Sequence, residues 1–136
     1  MMEKELEVYF DKLWPICRSI TGDGLRDSLN ILQDLIPLSL TEVPTGTEVF
    51  DWNIPKEWNI KDAYIICPNG NKIADFKINN LHIVNYSIPV NLELSFDDLK
   101  SHLHYIKEMP DAIPYITSYY KETWGFCMTY NEFKSL

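Results

Sequence analysis

The chain has 136 residues, 46% of them apolar and 13% aromatic, without repeats, low-complexity tracts or long like-charge runs; this composition excludes disorder and suits one domain or two small lobes. A formal charge of −8, with Arg18 and Arg26 as its arginines, excludes the clustered cationic surface that tracks nucleic-acid phosphates. The opening MMEKELEVYF is acidic where a signal peptide is basic, and nowhere do about 20 apolar residues run together, so a cytoplasmic protein without a membrane partner is expected.

Leu6, Tyr9, Phe10, Leu13 and Trp14 recur at helical spacing, and Pro15 marks the end of the first predicted helix. Thr21-Gly22-Asp23-Gly24 then supplies turn and capping residues for a second, whose stripe of Leu25, Leu29, Leu32 and Ile36 is closed by Pro37. Together they predict an N-terminal helical hairpin. Beyond Leu38 the pattern alternates: Leu38 and Leu40, a Pro44-Thr45-Gly46 turn, and Phe50, Trp52 and Ile54 on one face of a predicted strand. Residues 63–67 and 72–76 flank Pro68-Asn69-Gly70-Asn71, where Asn-Gly offers the positive φ angles of a hairpin turn.

Residues 81–86 read as a further strand, and Pro89 edges the next extended piece. Ser95 and Asp98 form a capping-box pattern, which predicts a helix with Phe96, Leu99, Leu103 and Ile106 on one face. The proline-bounded stretch 110–114 leads into a strand-like run from Tyr115 to Tyr120. At the end, Thr129 and Glu132 make a second capping box before Phe133 and Leu136, with fewer than two turns following. Isolated helices become marginal at roughly 12–15 residues, so the chain is expected to be the front part of a longer protein. Helices at both ends around a β-rich middle give an α+β fold class, the pattern of one domain inserted in another.

Candidate chemistry is sparse. His102 and His104 are two apart, about 200° around a helix, so they do not converge on one ion there, and His82 lies in a predicted strand without a ligand motif. No metal ligand and no catalytic residue is therefore assigned to this chain. Cys17, Cys67 and Cys127 are odd in number and form no C-x-x-C pair, which predicts reduced, packed thiols. Cys127 is the best nucleophile candidate, but its neighbours Phe126 and Met128 raise a thiol pKa, and no G-x-S-x-G elbow is present. The Thr21–Gly24 loop lacks the Gly-Lys-Ser/Thr of a P-loop, and turn formation accounts for it. The aromatic group Tyr115, Tyr119, Tyr120, Trp124, Phe126 and Tyr130 offers flat faces and hydroxyls for a peptide or sugar. Adjacent Tyr119 and Tyr120 point to opposite faces of a strand, and with Trp124 they are the candidate substrate-binding residues.

Four stretches together, LWPICRSITGDGLRDSLNIL (13–32), EVPTGTEVFDWNIPKEWNIKDAYI (42–65), NNLHIVNYSIPV (79–90) and PDAIPYITSYYKETWGFCMTYNEF (110–133), resemble the N-terminal part of bacterial aminopeptidase-like proteins of the zinc exopeptidase fold. That family carries a small β-rich domain of unknown function inserted after its first helices. The resemblance implies that residues 1–45 are the opening helices and first strand of an incomplete α/β peptidase-like domain, 46–118 the inserted β-rich domain, and 119–136 the truncated return segment. The remainder of that domain is then the implied partner and a peptide the implied substrate. Zinc is implied for the longer parent, whose metal positions follow Leu136, with a metal-bound water as nucleophile and a carboxylate as general base. Family members are often encoded beside genes for surface-polysaccharide synthesis. The rival expectation is a non-enzymatic binding or assembly module, and a remoter one a thiol enzyme using Cys127. In the severed-domain reading, Leu6, Leu13, Leu29 and Leu32 should be exposed or artificially paired.

Overall fold

Apolar residues at helical spacing form α1 (Met2–Leu13) and α2 (Asp23–Gln33) in the computed structural model, which describes the backbone of residues 2–136 and the side chains of residues 6–136. The two helices are in contact. The Arg18 guanidinium donates to the Leu13 carbonyl at 2.9 Å, satisfying an acceptor at the end of α1. Gly22 caps α2 at φ 94, and a β-carbon there would overlap the Trp58 carbonyl oxygen, so both conformation and space require glycine. Past Gln33 the chain tightens into turns, with Ile36 N–H donating to the Leu32 carbonyl at 3.0 Å just before Pro37. These elements belong to the first of two units, Met1–Asn59.

The same unit holds β1 (Glu48–Val49) and β2 (Trp52–Asn53), an antiparallel pair closed by Phe50 and Asp51. The predicted single strand through Phe50, Trp52 and Ile54 is therefore corrected: the chain reverses at Phe50, whose φ of 52 is a turn conformation. Alternation of apolar residues continued through the reversal and hid it.

The second unit, Ile60–Leu136, contains the hydrophobic core. Its first pair, β3 (Ile65–Ile66) and β4 (Lys72–Ile73), is the hairpin expected around Asn-Gly. The turn differs in detail. Cys67 N–H donates to Asn71 O at 2.9 Å and Gly70 N–H to Cys67 O at 2.8 Å, leaving a three-residue loop in which Gly70, at φ 84, takes the left-handed position. Asn69 instead accepts the Asn71 N–H on its side chain at 2.9 Å.

The predicted strand over 81–86 begins as a 3-10 turn, Asn80–His82, and continues as single bridges, Ile83 to Phe126 and Asn85 to Thr117. The predicted helix from Phe96 to Ile106 is also corrected. Ser95 does cap its start, accepting from Asp98 N–H, but α3 (Phe96–Leu99) lasts one turn, passes into a 3-10 turn at Lys100–His102, and gives way to β5 (Leu103–His104). β5 pairs in parallel with β6 (Phe126–Cys127), so Leu103 reaches the core from a strand. The run from Tyr115 to Tyr120 contributes the Thr117 bridge in place of a full strand. Thus Phe126 is flanked by Ile83 on one side and Leu103 on the other, and with Ala74, Val84 and Met128 they form or line the core.

α4 (Tyr130–Lys134) carries both halves of its capping box: Thr129 Oγ1 accepts from Glu132 N–H at 3.0 Å and Glu132 Oε2 accepts from Thr129 N–H at 2.8 Å. Phe133 from this helix packs on Tyr105, with ring centroids 4.1 Å apart. The architecture is mixed helix and small sheets, an α+β class, with an irregular middle between three two-stranded ladders among the described residues.

Candidate functional site

The second unit brings all three histidines of the chain onto one segment, Trp124–Cys127. His82 is buried and its Nδ1 donates to the Cys127 carbonyl at 2.8 Å; a carbonyl only accepts, so Nδ1 carries the proton. His102 Nδ1 donates likewise to the Trp124 carbonyl at 2.8 Å, while its ring stacks on the Trp124 indole at 3.7 Å and 5°. His104 sits beside Gly125, where an added β-carbon would lie 3.2 Å from its Nε2. Burial, and secondarily the nearby His102, lowers the His104 pKa from its ordinary 6.5.

These histidines support the fold of the segment more than they offer ligands. Two of the three Nδ1 atoms are committed to carbonyls, and among the described residues no group of three or more His, Cys, Asp or Glu is placed to hold a metal ion. Cys127 is 0% exposed, and burial pushes its thiol up to about 11, against a smaller lowering from a hydrogen bond with the Ile116 backbone. It is His82 Nδ1 to the Cys127 carbonyl, and not to the sulfur, that links these residues. An enclosed thiol with a raised pKa is a poor nucleophile.

The loop at Thr21–Gly24 is likewise occupied from within. Asn59 Oδ1 accepts the Asp23 N–H at 2.8 Å, and Thr21 Oγ1 accepts the Trp58 N–H at 3.3 Å. Arg26, one turn further, holds Glu57 through two nitrogens at 2.8 and 2.6 Å and Glu42 at 2.8 Å. The Arg26 guanidinium keeps the Glu57 carboxyl below the usual carboxylate range, and the hydrogen bonds it donates to Glu57 and Glu42 raise the Arg26 pKa.

Of the predicted substrate-binding residues, Tyr119 and Tyr120 meet each other, with centroids 4.6 Å apart at 73°, and Trp124 is engaged with His102. Tyr120 is 92% exposed. Tyr119 packs edge-on against Tyr86 at 5.0 Å, and burial, with the neighbouring tyrosines, raises its pKa. Tyr86 was not legible as part of this group. It occupies the third position of a turn closed by Ser87 N–H to Val84 O at 3.1 Å, with φ 67, a position that favours glycine or asparagine. A tyrosine at that position is the signal the sequence could not show without the turn. The three rings form an aromatic corner with one fully presented phenol.

The family match covers the second unit and the three residues before it. Residues 57–136 match the family described as Domain of unknown function (DUF2172). The chain belongs to that family. Over 132 residues it is 54% identical to a Clostridium acetobutylicum protein named "Putative polysaccharide biosynthesis protein with aminopeptidase-like domain", a match covering 96% of this chain and 30% of that protein. It is also similar to the crystal structure of a "putative peptidase" from Clostridium acetobutylicum, with a TM-score of 0.91 and 53% identity over 98% of this chain and 32% of that one. The DUF2172 chain thus spans about a third of the length of the relatives it matches. None of its described helices is long and apolar enough to cross a membrane.

Proposed function

We propose that this chain is the N-terminal scaffold of a cytoplasmic, peptide-hydrolysing aminopeptidase-like protein, supplying cleft wall and no catalytic group. One observation carries the reading. Among the described residues of the first unit no apolar side chain is buried, although α1 and α2 bear apolar stripes, and the chain covers only 30% of a relative named for an aminopeptidase-like domain. Leu6 is exposed and Leu13, Leu29 and Leu32 are half-buried, so none of the four has full cover. An apolar stripe is stable only against another layer, and the larger remaining part of such a parent supplies it. In this reading residues 1–45 and 119–136 belong to the split peptidase-like domain and 46–118 to the insert, with zinc held by residues outside this chain.

The test joins this chain to the remaining polypeptide of the Clostridium relative and follows metal content and hydrolysis of aminoacyl anilides. The joined protein is expected to bind zinc in stoichiometric amount and release the anilide, and the 136-residue chain to do neither. A joined, folded protein lacking both overturns the reading.

A second reading, a non-enzymatic binding module, is favoured by the exposed Tyr120 on its Tyr86–Tyr119 base. Saturable quenching of tyrosine emission by oligosaccharides or peptides, lost in Tyr120→Ala, is its expected signature; a relative's name that includes polysaccharide biosynthesis makes sugars the first ligands to try.

A further inference from the structure

We propose that the hairpin spanning Gly46 to Ile54 is a docking element whose tip residue, Phe50, inserts as an apolar anchor into the larger polypeptide that the relatives carry beyond this segment; the inference rests on the scaffold reading above. Hydrogen bonds close the hairpin. Gly46 N–H donates to Ile54 O at 2.8 Å, Ile54 N–H to Thr47 O at 2.9 Å, and Thr45 Oγ1 to Pro55 O at 3.1 Å, around the paired residues Val49 and Trp52. Its two-residue loop places Phe50 at φ 52, where a β-carbon is disfavoured and glycine, asparagine or aspartate are usual. Phe50 is then 97% exposed, so no burial within the chain offsets the backbone strain.

A bulky aromatic residue that is unfavourable on both counts in its own chain gains from contact with something else. Trp52, one residue past the loop, is exposed as well. Because the first unit buries no apolar side chain among its described residues, the hairpin does not brace a core of that unit. The matched relatives extend to about three times this length, as their coverage of 30% and 32% shows, and that additional polypeptide is the occupant to which the anchor is assigned. Buried aromatic anchors of this kind concentrate binding energy at interfaces.

Hydroxyl-radical footprinting of Phe50, read by mass spectrometry, tests this in the 136-residue chain and in the same chain joined to the remaining polypeptide of the Clostridium relative. Phe50 is expected to be modified freely in the short chain and at least about ten-fold more slowly in the joined one. Phe50→Asn, which suits a positive φ, should leave the melting temperature of the short chain unchanged or raised and lower that of the joined protein. Equal modification in a joined protein that binds zinc and hydrolyses anilides overturns the anchor while the scaffold reading stands. Equal modification in a folded joined protein without zinc or turnover overturns both. Protection that grows with concentration of the short chain makes a second copy the occupant and overturns the assignment, as does a lowered melting temperature of the short chain on Phe50→Asn.

Discussion

At Cys127 a single side chain ties fold stability to pH. The thiol is held near 11, above its ordinary 9.0, because burial disfavours the thiolate. A folded-state value above the unfolded one means stability that is complete below about pH 9 and lost as pH rises towards about 11, by roughly 3 kcal/mol. Cys127 should accordingly resist iodoacetamide at pH 8 in the folded chain while half-buried Cys17 and Cys67 react first, a difference peptide mapping resolves. His104 titrates with the opposite consequence. Its pKa is lowered, so its stabilising contribution is present above the ordinary 6.5 and is lost as pH falls towards the folded value. Melting temperature should therefore decline from pH 7 to pH 5, and His104→Asn should flatten that slope; an unchanged slope removes His104 as its source. Both residues drew notice in the sequence, but the direction of their chemistry depends on enclosure that residues remote in the chain provide.

Among the elements, α4 shows how local and tertiary terms combine. Its five residues are far fewer than an isolated helix needs, yet the reciprocal Thr129–Glu132 bonds satisfy its first turn, and Phe133 rests on Tyr105 and near Phe96, at centroid distances of 4.1 and 6.2 Å. The box was legible because its residues are three apart; the aromatic seat was not. Thr129→Ala should cost about 1 kcal/mol in denaturant unfolding, and Thr129→Ser far less. α3 teaches the converse. Phe96, Leu99, Leu103 and Ile106 satisfy a helical period, but Leu103 and His104 also alternate, and pairing with Phe126 and Cys127 decided for a strand after a single capped turn. Tertiary pairing overrode periodicity in the same way at Phe50, where a turn interrupts an apparently continuous alternation.

For the whole chain, the two units differ in kind. Ile60–Leu136 encloses Val84, Cys127 and Met128 almost completely, whereas the described side chains of Met1–Asn59 leave Phe10, Trp14 and Phe50 to solvent. Opening free energy follows local apolar burial. In native-state hydrogen exchange, amides of α1 and of the β1–β2 hairpin should exchange in the fastest class and those of Phe126, Cys127 and Met128 in the slowest. Uniform slow exchange across residues 5–36 of a monomer contradicts the scaffold reading, since it requires cover that the first unit does not show. In the chain joined to the relative's remaining polypeptide, the same amides should slow.

The sequence alone determined the features written in neighbouring residues: two amphipathic N-terminal helices, the hairpin around Asn69-Gly70, the caps at Ser95 and Thr129, and an aromatic-rich final third. Each depends on residues within a few positions of one another, where spacing and side-chain type fix the hydrogen bonds. Only tertiary structure decided that Leu103 is a strand residue, that Trp124 is committed to His102 while Tyr120 stands free on Tyr119, that Cys127 is sealed, and that Phe50 is a bare tip. Those outcomes depend on partners tens of residues away, and no local pattern specifies which of two satisfied periodicities such a partner will select.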